Sequence, residues 1–385
     1  MFKLHLFKRK LSQEERHKQW LKNKVLLSDI YMSANEIEWH QIRPLIDKSK
    51  IVTFLYKKGS HAFRGHNLEN IFKDKEIRYI DDKNWQDADF FVCMAFGIET
   101  PDNLEKKLLK INKPILIAKE TFLRSITPSS GAPEGCHQKF LDAVSHFLDA
   151  RSPHFYIGAK SSLEKLLEAD IAFTPEQAKY SKYLIEKIIN NKLSKYNSQI
   201  LDVINFPDNG KENILIVDQV NGDMAITLNG GSDADFAKML DHAVKDNPDC
   251  NIIIKTHVDA RKGVLSGFKL PQNVFLYTEP VNMLALLQKI KKMYVYSSGA
   301  GIEGILADKE VHVFGSPIYA GWGLTHDYRS FSERTKKLSR EELFYKIYIL
   351  YSWYCNPLTN EPCDIETALD VLINLRDEYI GLYRS

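Results

Sequence analysis

Met293-Tyr294-Val295-Tyr296-Ser297-Ser298-Gly299-Ala300-Gly301-Ile302-Glu303-Gly304-Ile305-Leu306, running on through Ala307-Asp308-Lys309-Glu310-Val311-His312-Val313-Phe314, is the stretch that decides the fold. A short apolar run, Tyr294 to Tyr296, passes through a turn of small residues into a helix-like run. A second apolar run, Val311 to Phe314, follows. The turn Ser297 to Gly301 sits where a parallel strand hands over to a helix N-terminus. Free backbone N–H groups and the helix dipole attract anions there, and glycine lets a phosphate come close. The hydroxyls of Ser297 and Ser298 add donors. Next comes Gly315-Ser316-Pro317-Ile318-Tyr319-Ala320-Gly321-Trp322-Gly323-Leu324-Thr325, too rich in glycine and aromatics for a regular helix or strand. It reads as a shaped loop at the carboxyl end of a strand, where open α/β sheets bind ligands. A plain βαβ crossover with a glycine-rich connection accounts for the same residues, so both readings stay open.

Upstream, the same alternation recurs. Ile214 to Val217 is a strand ending in Asp218, and Asp233 to Ala243 a helix after the turn Gly230-Gly231-Ser232. Ile252 to Lys255 is a strand reaching His257, Val274 to Tyr277 another, and Met283 to Ile290 a helix. Further back, Ile51 to Tyr56, Ile77 to Ile80, Phe90 to Met94 and Pro114 to Ala118 read as strands, with Leu104 to Ile111 helical. Phe155 to Gly158 is expected to be the last strand of that set. Thr174 is expected to cap a helix with Pro175 at its first position, running to Lys195. Phe206-Pro207-Asp208-Asn209-Gly210 breaks the pattern and marks a boundary. Arg340 to Leu350 and Ile365 to Leu375 read as helices, joined by a loop with Pro357 and Pro362. The expected class is α/β and GT-B-like: two Rossmann-like domains, 1–207 and 208–335, facing a cleft, with C-terminal helices over 336–385 packing back on the body. Glycosyltransferases use this plan, as do sugar-nucleotide epimerases and several non-enzymatic clefts.

The bulk numbers narrow the field. At 385 residues the chain has room for two or three domains with real cores. A net charge of +2 gives no global field for nucleic acid, so no nucleic-acid partner is expected. Cys93, Cys136, Cys250, Cys355 and Cys363 form no CxxC pair and read as reduced thiols of a cytoplasmic protein. No apolar run reaches the ~20 residues of a membrane span. The start, Met1 to Lys10, mixes bulky apolar and basic residues and reads either as a frayed tail or as a peripheral membrane contact.

Each strand end of the second half delivers something polar: Asp218-Gln219 with Asp223 beyond, Lys255 with His257, and Ser297-Ser298. A carboxylate, an imidazole and a hydroxyl-rich turn on one rim suit a nucleotide-activated donor. No DxD-type carboxylate pair stands out, so metal-free chemistry is expected, with protein donors neutralising the phosphate. Asp223 reads equally as part of an Asn-Gly-Asp turn, and His257 as a strand-end histidine bonded to a backbone carbonyl.

The ordered set of motifs resembles the bacterial capsule polysaccharide proteins of the KpsC kind, which are retaining β-Kdo transferases; the Kdo-transferring domain of WbbB-type enzymes is a more distant relative. Gly315 to Thr325 looks like that family's signature. Asp218-Gln219 with Gly222-Asp223 is similar to its DQ…GDxS segment, and Asn247-Pro248 through Lys255-Thr256-His257 to its NP…KTHPD segment. Ser297 to Leu306 resembles TSxxGFEALL. Tyr348 to Cys363 resembles the C-terminal YxxYxxPxTxxPC pattern, and Lys119 to Ser125 looks like EDGFLRS. There are departures: Lys119-Glu120-Thr121 replaces Glu-Asp-Gly, Val258 follows His257 where the family has proline, and Ala225 stands at the GDxS serine.

The resemblance implies a cytoplasmic enzyme, or one peripheral on the inner membrane, that moves Kdo from CMP-β-Kdo to a glycan or glycolipid acceptor with retention, without a cofactor or metal. It implies that the first domain serves the acceptor and the second the nucleotide sugar. Asp223 is then the expected nucleophile, with Asp218 as second choice, and Glu120 the base across the cleft. His257, Ser297, Ser298 and Lys255 would hold the phosphate, with Gly299 and Gly301 allowing its approach. Arg124, Gln219, Tyr319 and Trp322 would line the donor pocket. A different activated sugar on the same fold, or a non-catalytic role in capsule assembly, are the alternatives.

Overall fold

The computed structural model describes residues 37–59, 67–94, 113–128, 131–199, 206–207, 209–256, 263–265 and 268–384. Met1 to Lys10, the helix expected at 104–111, and His257 lie outside the described residues.

Strands β1 (Ile51–Phe54), β2 (Glu76–Tyr79), β3 (Phe90–Met94), β4 (Ile115–Glu120) and β5 (Ser145–Asp149) belong to the first sheet. Strands β6 (Asn213–Val217), β7 (Asn251–Lys255), β8 (Val274–Tyr277), β9 (Lys292–Val295), β10 (Glu310–Val313) and β11 (His326–Asp327) make the second. The last two, β12 (Ser352–Asn356) and β13 (Glu361–Cys363), return to the first sheet. Its order is β13-β12-β5-β4-β3-β1-β2, and that of the second is β11-β10-β9-β6-β7-β8. Every pairing in the second sheet is parallel, as expected of apolar strands buried on both faces between crossovers. The two sheets are the two Rossmann-like halves of a GT-B-like α/β fold.

The first sheet departs from the expectation on one side. From β4 outward, β5, β12 and β13 pair antiparallel. Residues 155–158 form turns instead of the last strand, which is Ser145-His146-Phe147-Leu148-Asp149. All five of its residues are buried, three of them polar, so no apolar run marks it in the sequence. The loop expected between the C-terminal helices is a β-hairpin. Its Pro362 lies on the edge strand, where a missing N–H costs no ladder bond.

Thr174 caps the helix Pro175–Asn190 as expected, in a reciprocal box with Gln177; the helix ends five residues before Lys195. The largest apolar cluster includes Phe147 of the first sheet, Val295 and Ile302 of the second half, and Leu369 and Leu372 of the C-terminal helix Ile365–Tyr383. One core therefore runs through both halves, and it fixes their strand ends relative to each other. Among the described residues no helix is long and apolar enough to cross a membrane.

Candidate functional site at the strand ends

Parallel strands deliver their carboxyl ends to one rim, and the β6 and β9 ends are tied together there. Gln219 accepts the Ser297 backbone N–H through Oε1 at 2.9 Å, and its Nε2 donates to Ser297 Oγ at 3.3 Å. The Ser297 hydroxyl donates to the Ala225 carbonyl at 2.8 Å. The Ala225 N–H in turn donates to Asp223 Oδ1 at 2.9 Å, where Asp223 caps the short helix Met224–Thr227. Gly222 precedes it at φ +79°, a left-handed turn that a side chain would strain. Gln219, Asp223 and Ser297 are thus parts of one hydrogen-bonded chain, with Asp223 half-buried at its open end.

Asp218 occupies the bottom of this arrangement. It is 1% exposed, and its Oδ1 accepts the N–H groups of Gln219 (2.9 Å) and Leu265 (3.2 Å). Its Oδ2 has no hydrogen-bond partner among the described residues and presses on Gly263, where no Cβ would fit. Burial pushes its carboxyl up to about 6. Lys255, ending β7, is buried too. Its ammonium donates to the Thr256 carbonyl at 2.7 Å, and burial pulls it down to about 8.

The first half meets this rim at β4. Glu120 is buried at the strand end, with Arg124 Nε 3.2 Å from Oε1 and Lys119 Nζ 3.2 Å from Oε2. Arg124 also donates to Ser125 Oγ at 3.0 Å, and its guanidinium lies 5.5 Å from the Tyr196 ring centre. Two residues past Glu120, the Phe122 ring comes against Gly299: a Cβ there would lie 3.3 Å from it. The two halves therefore touch beside the Ser298-Gly299 turn. Ser298 is half-buried and Gly299 exposed, and among the described residues their backbone N–H groups have no acceptor.

Several residues expected to touch a ligand serve the frame instead. Ser297 spends both its hydroxyl and its N–H inside the protein. Arg124, expected in the donor pocket, is the partner of Glu120. Tyr319 and Trp322 have no exposed surface; Trp322 Nε1 donates to the Ile318 carbonyl at 2.7 Å and Tyr319 OH donates to the Ser298 carbonyl. Gly301, expected to admit a phosphate, gives its missing Cβ to the Tyr319 phenol, 2.2 Å from where that carbon would stand. Lys255 is covered. Among the described residues expected at the site, Asp223, Ser298 and Gly299 remain open. Among the described residues no three metal-ligating side chains gather here.

Glu303 carries a role that residue-by-residue reading passes over. It sits on the seven-residue helix Ala300–Leu306, accepts a hydrogen bond from Ser194 Oγ of the first half, and is pushed up to about 7 by burial. A single carboxylate in an otherwise apolar helix, Ala-Gly-Ile-Glu-Gly-Ile-Leu, was the available signal.

Comparison with known proteins bears on the family and the fold. A family profile described as "Capsule polysaccharide biosynthesis protein" matches residues 153–354, more than half of the chain. The capsule polysaccharide modification protein LipA of Neisseria meningitidis serogroup A is 31% identical over 277 residues, 68% of this chain. This chain spans only 38% of LipA's length. The lipopolysaccharide-processing protein LpsZ of Rhizobium meliloti is 26% identical, covering 81% of this chain and 72% of LpsZ. Among solved structures, Thermosulfurimonas dismutans KpsC, described as a beta Kdo 2,4 transferase, superposes with TM-score 0.73 at 28% identity, covering 83% of this chain and 97% of the other. The KpsC beta Kdo 2,7 transferase structure, at 18% identity and TM-score 0.62, shares the fold. With its motifs, its paired sheets and the profile match in agreement, the chain belongs to the capsule polysaccharide biosynthesis protein family.

Proposed function

We propose that the protein is a glycosyltransferase that moves Kdo from CMP-β-Kdo to a bacterial surface-glycan acceptor, a capsule or lipopolysaccharide chain or its lipid-linked primer, with retention of configuration. Family membership and the likeness to a solved beta Kdo 2,4 transferase support the donor class. The observation that carries the mechanism is the contrast between two aspartates on one rim: Asp223 is open and fixed through Ala225, while Asp218 is sealed against Gly263.

In this reading the Asp223 carboxylate attacks the anomeric carbon, the bond to the phosphate oxygen breaks, and CMP leaves with the electron pair. An acceptor hydroxyl then attacks the same carbon, its proton passes to Glu120, and Asp223 is released; two inversions give retention. The Ser298 hydroxyl and the amides of Ser298 and Gly299 hold the phosphate, with His257 as a further ligand. No metal or cofactor takes part. Arg124 and Lys119 position Glu120. Since the donor is a nucleotide sugar, the reading assigns the protein to the cytoplasm or to the inner face of the inner membrane.

Intact-mass analysis after incubation with CMP-β-Kdo tests this. Glu120→Gln is expected to accumulate one Kdo adduct mapping to Asp223, and Asp223→Asn to form none while losing roughly a thousandfold or more in transfer. An adduct on another carboxylate would overturn the assignment of Asp223. Absence of CMP release and of CMP binding by the folded protein would overturn the transferase reading itself.

A further inference from the structure

Away from the cleft, among the described residues, Glu310, His312 and His326 bring three metal-ligating atoms within 4.8 Å of one another. Strand register causes this. Glu310 and His312 are two apart on β10 and share a face, and His312 pairs directly with His326 on β11. Lys292 and Tyr294 of β9 lie opposite Glu310 and His312 on the other side. The group sits at the amino ends of these strands, the far end of the sheet from Asp218 and Ser297.

Glu310 Oε1 is the focus: His312 Nε2 lies 2.8 Å from it, Lys292 Nζ 3.1 Å and His326 Nε2 3.9 Å. The His312 ring is stacked between Tyr294 (4.4 Å) and His326 (4.8 Å). Its other nitrogen, Nδ1, is 3.2 Å from Tyr328 OH, which is 3.4 Å from Asp246 Oδ2.

We propose that this cluster binds a divalent transition-metal ion of the zinc class, through Glu310 and the Nε2 atoms of His312 and His326, with water as fourth ligand. Two imidazoles and one carboxylate suit zinc and its neighbours better than magnesium or calcium, which favour all-oxygen sites. The outer shell is already built, because metal-bound histidines hold their second nitrogen in a hydrogen bond. On binding, the ion replaces the proton between His312 Nε2 and Glu310. The ring then carries its proton on Nδ1 and donates to Tyr328, whose hydroxyl donates to Asp246.

Donors about 2.0–2.2 Å from a tetrahedral ion stand roughly 3.3–3.5 Å apart. His312 and Glu310, 2.8 Å apart, open by about half an ångström to reach that spacing, and the 63% exposed His326 side chain closes from 3.9 Å by turning inward. Lys292 is the competing cation, and its flexible stem lets the ammonium turn to solvent. The consequence is a clasp on β11, a strand of two residues. Its Asp327 accepts the Gly321 N–H at 2.9 Å and the Thr325 hydroxyl at 2.7 Å, so the ion would also tether the Gly315–Thr325 loop.

The test uses the tag-free 385-residue chain stripped with chelator and titrated with zinc chloride by calorimetry, with cobalt absorption as a second readout. One equivalent is expected to bind, with a tetrahedral cobalt spectrum and a raised melting temperature. His326→Ala and Glu310→Gln are each expected to weaken binding roughly tenfold or more and to abolish the melting shift. His326 is exposed, so its removal leaves the fold intact. His242→Ala, which removes a ring packed on Tyr328 and Phe314 and 3.8 Å from Asp246 but leaves all three ligands in place, is expected to keep the zinc equivalent. No stoichiometric binding by the wild type, or binding unchanged in both ligand variants, would overturn the proposal.

Discussion

Two buried aspartates, one in each half, stand at or just past the end of a strand, Asp149 on an antiparallel strand beside Ile117 and Asp218 at the carboxyl rim of parallel strands, and they are treated in opposite ways. Asp149 ends β5, and both its oxygens are filled. Oδ1 accepts the N–H groups of Arg151 (2.7 Å), Ser152 (2.9 Å) and Ser162 (3.1 Å), and Oδ2 accepts the Leu163 N–H (3.3 Å) and the Tyr351 hydroxyl. Asp218 follows β6 and has partners on one oxygen alone. Burial raises both carboxyls. A buried charge with all its lone pairs engaged organises its surroundings, whereas a half-engaged one is a cost that the fold carries without structural return. The difference separates a fastening of the first half from a carboxylate left half-engaged at the carboxyl rim of the second sheet.

The largest expected effect tests the fastening. Asp149→Ala leaves backbone donors of residues 151, 152, 162 and 163 and the Tyr351 hydroxyl without their acceptor. A loss of roughly 3–5 kcal/mol in urea unfolding is expected. A loss under about 1 kcal/mol would erase the distinction drawn between the two aspartates.

Glu303 gives a third buried carboxylate, placed where the halves meet, and its effect is read through pH. The unfolded chain gives up this proton near 4.5, while the folded protein holds it to about 7. Stability from this residue is therefore complete below about pH 4.5 and is lost as pH rises to about 7, a change of ~3 kcal/mol for a shift of this size. Glu303→Gln should flatten that part of the stability profile and make the variant more stable than wild type at pH 8. An unchanged slope would mean that Ser194 and the nearby Lys195 keep the carboxylate charged throughout.

The second half was legible from its own residues because nearly everything in it agrees. The β9 and β10 runs, the small-residue turn between them and the Gly230-Gly231-Ser232 turn before Asp233 all say parallel crossover, and the strands formed within two residues of expectation. The first half hid β5, where the buried Ser145 and Asp149 draw on partners distant in sequence, among them Thr121 and Tyr351, and β12–β13, whose prolines suggest a loop. At the site, chain position identified which residues gather at the rim, since strand ends are readable. It did not reveal which way each side chain turns. Ser297 and Gly301 look identical in kind to Ser298 and Gly299, yet Gln219 and Tyr319, brought in from other parts of the chain, claim the first pair for the frame. The motif resemblance supplied the family; it could not supply that division of labour.

The smallest expected effect on stability is at Asp218, and it is the sharpest test of the comparison. Asp218→Asn removes a buried charge whose proton is held to about 6 against 3.8 in the unfolded chain, so at pH 7.5 the wild type carries a penalty that the variant lacks. Against that gain, the two N–H bonds to Oδ1 become neutral and weaker, and the new amide brings donors into a space closed by Gly263. The opposing terms should leave stability within about 1 kcal/mol of wild type at pH 7.5, with the variant losing the decline that wild type undergoes between about pH 4 and 6. If the rim keeps Asp218 for its ligand, CMP binding or transfer falls in this variant while the melting curve hardly moves. A substitution that unfolded the protein as severely as Asp149→Ala would instead make Asp218 a second fastening.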